Sequence, residues 1–120
     1  MSSIDRPLSG DVLVVSLLED GPRAPATGRT ARTLLKEGPL RVTVVTVAPG
    51  AEIPEHRAEG PITVQPLVGR IQFTAGGRTH ELGPGQLLAL GAGLPHAVAS
   101  PQGGTFLLTV CKPAGSSGKD

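Results

Sequence analysis

The chain has 120 residues, 38% of them apolar, and a formal net charge of +1 at pH 7, which suits one domain with a real core and is too short for two comfortable ones. So small a charge gives no field to steer nucleic acid, and the Arg and Lys residues lack the interleaved aromatics of a base-stacking surface. With 17 Gly, 12 Pro, two Phe and no Trp or Tyr, the composition argues against long helices and predicts many short strands cored by Val, Leu, Ile and Ala.

In chain order, the polar opening MSSIDRPLSG predicts a mobile segment over 1–10. The Gly, Ser and charge of the closing residues predict a disordered tail over 113–120, leaving a folded body over 11–112. No basic region followed by a signal-like apolar stretch opens the chain, and its longest apolar run is far below membrane-spanning length, which predicts a soluble cytoplasmic protein.

The apolar run over 12–18 reads as a first strand, 21–28 with Pro22 and Pro25 as a loop, and 32–36 as strand or turn. Residues 40–48, rich in Val and Thr, read as a strand stopped by the turn pair Pro49-Gly50. The runs 62–68 and 70–75, parted by Gly69, and 78–82 after Gly76-Gly77 read as a β-meander. Pro66 has no amide to donate, so it requires a bulge or an unpaired edge in the first of these. Residues 86–90, 96–99 and 105–111 complete a set of about ten strands, which implies an all-β barrel or a double-sheet jelly roll. No phosphate-binding glycine loop and no G-x-S-x-G nucleophile turn occurs. The single cysteine, Cys111, excludes a disulfide within the chain and reads as a small buried hydrophobe near a strand end.

Two segments carry a family pattern. Gly50, His56 and Gly69 fall without a gap on G-x5-H-x-H-x3-E-x6-G, and Gly85, Gly93 and His96 fall on G-x5-P-x-G-x2-H-x3-N. Together they span residues 50–100, and in this the chain resembles the cupin superfamily, in its small single-domain form. The resemblance implies a double-stranded β-helix, or jelly-roll, barrel whose motif side chains project inward and hold Fe, Mn, Zn, Ni or Cu.

The departures fall on the metal ligands. Ala58 stands where the pattern has its second histidine, Ile62 where it has glutamate, and Gly91 and Ser100 replace Pro and Asn. Only His56 and His96 of the four implied ligands remain, so the metal centre is expected to be incomplete. Glu52 would join the histidines if the chain between stayed extended, whereas alternation turns Gln65 away from Ile62 and Val64. His80 reads as a residue of a solvated strand face.

Two functions follow. The first is a binding module holding a small molecule in an apolar barrel interior lined by His56, Ile62, Val64 and His96. The second, implied by the resemblance, is a metal-dependent oxygenase or isomerase with His56 and His96 as its ligands. The resemblance also implies a homodimer paired through sheet edges, while neither nucleic acid nor membrane is an expected partner.

Overall fold

The computed structural model describes residues 12–113. They form nine strands and no helix: β1 (Arg29–Glu37), β2 (Leu40–Val47), β3 (Ala51–His56), β4 (Ile62–Gly69), β5 (Ile71–Ala75), β6 (Arg78–Leu82), β7 (Leu88–Leu90), β8 (His96–Ser100) and β9 (Gly104–Cys111). The mobile opening segment and the disordered tail expected from the sequence lie outside the described residues, apart from Pro113.

All pairings are antiparallel, in a five-stranded sheet ordered β1-β2-β9-β4-β7 and a four-stranded sheet ordered β3-β8-β5-β6. From β2 onward the chain crosses between the sheets at every connection except the β5–β6 hairpin, which is the jelly-roll path of a double-stranded β-helix barrel.

Alternation builds the core. Val45 and Val47 of β2, Ile62 and Val64 of β4, Ile71 and Phe73 of β5, Val98 of β8 and Phe106 of β9 all point between the sheets. β-branched residues suit such a surface, because their stiff side chains pack against cross-strand neighbours. Val45 and Phe106 are direct partners across β2 and β9.

The structure departs from several sequence expectations. Residues 12–18 form no strand: the backbone turns at 17–19, where the amide of Asp20 donates to the Ser16 carbonyl at 2.7 Å. Val12 and Val14 are 84% and 87% exposed. The chain then crosses the outer face of β2, with Gly21 against Val44. The expected meander is broken, because β4 and β5 belong to different sheets and only β5 and β6 form a hairpin.

Gly69 makes the corner between those sheets. Its φ is +75°, and a Cβ there would stand 2.6 Å from the carbonyl oxygen of Gly103, so both backbone and space require glycine. The corner is tied to the end of β8 by the buried Ser100, whose hydroxyl donates to the Arg70 carbonyl at 2.8 Å. Pro66 stands beside a register shift in the β4–β9 ladder, where β7 has already ended opposite Val64. Both the bulge and the missing neighbour accommodate its lack of an amide proton. Cys111 is exposed rather than buried, since β9 ends there at the rim.

Candidate ligand-binding site

A cavity of about 470 Å³ lies between the sheets, and His56, Ile62, Val64 and His96 all line it. Its walls are mostly apolar, with Phe73 and Phe106 among them, and its polar side chains are Arg29, Glu55, His56 and His96.

The two histidines are direct partners across the β3–β8 ladder. Their rings meet edge to face with centroids 4.2 Å apart, and Phe73 stacks on the other side of His96 at 5.4 Å and 13°. His96 is 4% exposed, while His56 is exposed at the mouth.

Each imidazole is held in the same way. Nδ1 of His56 lies 3.0 Å from the carbonyl of Pro54, and Nδ1 of His96 lies 3.0 Å from the carbonyl of Leu94. A carbonyl only accepts, so Nδ1 carries the proton in both rings, and in the neutral form each Nε2 keeps its lone pair. Burial pushes His96 below its ordinary value of 6.5; the Leu94 carbonyl opposes this and neighbouring His56 adds to it. The buried ring is therefore a neutral hydrogen-bond acceptor at pH 7.

The loops that set this geometry are the two motif segments. The amide of Gly93 donates to the Ala58 carbonyl at 2.9 Å, and Nη1 of Arg57 donates to the Gly93 carbonyl at 2.9 Å. Gly93 has a φ of +78°, which glycine adopts without strain, and it joins the chain leaving His56 to the chain entering His96.

β3 has a register shift between Ile53 and His56, with Pro54 inside it. In a regular strand Glu55 and His56 would face opposite ways; the bulge brings both to the cavity. It also defeats the expectation for Glu52, which is exposed and does not line the cavity. Gln65 likewise lies off the cavity, one step from inward Val64.

The donors do not fit the metal site that the motif implies. Ala58 and Ile62, 7% and 4% exposed, belong to the apolar core. Among the described residues no three His, Cys, Asp or Glu side chains gather where one ion could hold them, whereas protein metal sites ordinarily take three or four such ligands.

His80 is not on a solvated face. It is the direct partner of inward Phe73, half-buried, and it lines a separate cleft of about 400 Å³ with Leu82 and Leu88. It is nevertheless absent from the His56–His96 cavity.

Arg29 and Glu55 are the polar residues that the sequence did not disclose. Arg29 precedes the expected strand start at residue 32, and Glu55 reaches the cavity only through the bulge at Pro54.

Among the described residues no helix is long and apolar enough to cross a membrane. Comparison with curated proteins gives no match. Among solved structures, a conserved protein of unknown function from Streptococcus pyogenes is 29% identical with a TM-score of 0.76, covering 94% of this chain and 96% of that one. An RmlC-like cupin from Desulfovibrio desulfuricans is 21% identical with a TM-score of 0.74, covering 83% and 96%. A DMSP lyase, DddQ, from Ruegeria pomeroyi is 21% identical with a TM-score of 0.68, covering 75% of this chain and 50% of that one. The family model for the cupin domain matches residues 43–111, more than half of the chain and both motif segments, and the protein belongs to the cupin family.

Proposed function

We propose that this cupin is a binding module that holds a small, apolar-bodied molecule inside the barrel, with His56 and His96 as its polar anchors. The observation that carries the reading is the pair of imidazoles, each tied through Nδ1 to a backbone carbonyl and with Nε2 left without a partner, that line one largely apolar cavity. The cavity's volume of about 470 Å³ falls in the range of about 300–1,000 Å³ common for small-molecule sites. Ala58 and Ile62 support binding over metal chemistry, since they replace donors with core.

A thermal-shift screen of small aromatic and aliphatic molecules tests this. Compounds that raise the melting temperature should lose their effect in Ala31→Trp, which plugs the cavity from an exposed position on its wall. Shifts that persist in that variant would place binding elsewhere and overturn the reading.

One observation favours a second reading, a metal-dependent oxygenase or isomerase. Two imidazoles that line one cavity and keep Nε2 without a partner are half of a metal site. Near-stoichiometric metal in protein purified without affinity metal, lost in the His56→Ala, His96→Ala double variant, would select it.

A cytoplasmic homodimer accompanies the proposal. The unpaired edges of β1, β3, β6 and β7 support pairing, and the free thiol of Cys111 suits a reducing compartment. Sedimentation as a monomer would remove the dimer.

A further inference from the structure

The polar side chains of the His56–His96 cavity present a definite pattern of charge. Arg29 is a cation that only donates, Glu55 is an anion that only accepts when ionised, and an imidazole in its neutral form offers an Nε2 acceptor once Nδ1 is committed to backbone.

Register places Arg29 on the inner face. It stands directly opposite Val47, a core residue 1% exposed, and opposed residues of an antiparallel pair share a face. Ala31, two residues on and opposite Val45, lines the same cavity. Glu55 arrives from the bulge in β3. Outside the backbone ladder, neither the Arg29 nor the Glu55 side chain makes a hydrogen bond or ion pair with another described residue, so both charges are free to meet a ligand.

We propose that the cavity takes a small zwitterion with an apolar body, of the class of the aliphatic and aromatic amino acids. Its carboxylate meets Arg29, its ammonium donates to Glu55 and the imidazole Nε2 atoms, and its side chain lies against the apolar wall of Val64, Phe73 and Phe106. This rests on the reading of the barrel as a binding module and names what the module selects.

The charges supply the selection. A simple carboxylate answers Arg29 but meets Glu55 with like sign, and a simple amine answers Glu55 but meets Arg29. Only a ligand carrying both signs satisfies the whole lining.

The test is calorimetric titration of the full chain with L-phenylalanine, 3-phenylpropanoate and 2-phenylethylamine, which share a body and differ in charge. L-leucine, 4-methylpentanoate and 3-methylbutylamine repeat it for an aliphatic body. In at least one series the amino acid should bind about five- to tenfold tighter than either singly charged analogue. Arg29→Gln should remove the preference over the amine, and Glu55→Gln the preference over the carboxylate, each with the melting temperature retained.

In both series, analogues that bind as tightly as the amino acid would overturn the zwitterion class and leave the binding-module reading standing. A preference that survives both substitutions would overturn the roles of Arg29 and Glu55. No binding by any of the six probes would overturn the zwitterion class, while the thermal-shift screen and its plugged variant judge the wider reading separately.

Discussion

Phe73 lies nearly parallel to His96, with ring centroids 5.4 Å apart and planes 13° apart, so the wall of the cavity and its buried anchor form one packed unit. Phe73 is 1% exposed and is among the largest fully buried side chains. Phe73→Ala should therefore cost about 3–5 kcal/mol of stability, and Phe73→Leu, which keeps most of the volume, about 1–1.5 kcal/mol. Urea unfolding measures both. Equal losses in the two variants would mean that filled volume is not what Phe73 contributes, and that its flat ring against His96 is.

The lowered pKa of His96 makes stability depend on pH with a definite sign. Between its ordinary value of 6.5 and its lower value in the fold, the unfolded chain binds a proton that the folded protein resists. This contribution is therefore fully retained above 6.5 and is lost as pH falls through the folded value, with a slope from one group of at most about 1.4 kcal/mol per pH unit. The groups near the ring are His56 on the partner strand and, around the same cavity, Arg29 and Glu55. Melting temperatures from pH 7 to pH 5 should fall more steeply for the natural protein than for His96→Gln. Parallel curves would mean that His96 titrates as it does in the unfolded chain.

The barrel was legible in the sequence because its punctuation is local. Glycine and proline pairs mark most of the connections, and the spacing of Gly50, His56, Gly69, Gly85, Gly93 and His96 carries both motif segments. What was not legible depends on partners distant in sequence. Residues 12–18 are an apolar run of strand length, yet no edge of the barrel takes them. β3 was hidden because AEIPEH carries Pro54 and two glutamates, which local propensity assigns to loop, while pairing with β8 makes it a strand. The same bulge decided the site: period-two alternation through Pro54 would have placed Glu52 beside His56, and the inserted residue put Glu55 there instead. Gly69 was readable as a turn, but whether it closes a hairpin or a corner depends on the approach of Gly103.

That corner gives a direct comparison between two glycines. Gly69 and Gly76 both have positive φ, but a Cβ at Gly69 would meet the Gly103 carbonyl, while nothing lies within 4 Å of one at Gly76. Gly76→Ala should lose about 1–2 kcal/mol from backbone strain alone, and Gly69→Ala should lose about 1–3 kcal/mol more from the crowded backbone. Denaturant midpoints would show the difference, and equal losses would mean that the corner relaxes freely around a methyl group.

The donor set predicts how the protein responds to metal. Two imidazoles with no third ligand hold an ion weakly, so EDTA and added Zn²⁺ should each leave the melting temperature of the natural protein nearly unchanged. Ile62→Glu supplies the missing carboxylate on the cavity wall, at a position 4% exposed. Without metal, the new buried acid lacks a partner and should cost about 2–4 kcal/mol. With Zn²⁺, binding to the folded state alone would restore stability by mass action, about 2.7 kcal/mol at a hundred times the dissociation constant. Thermal melts of both proteins with and without Zn²⁺ separate the accounts: rescue confined to Ile62→Glu means that the carboxylate completes a site the natural chain lacks. An equal rise in the natural protein would mean that His56 and His96 already hold the ion, and the metal-dependent reading would replace the binding module.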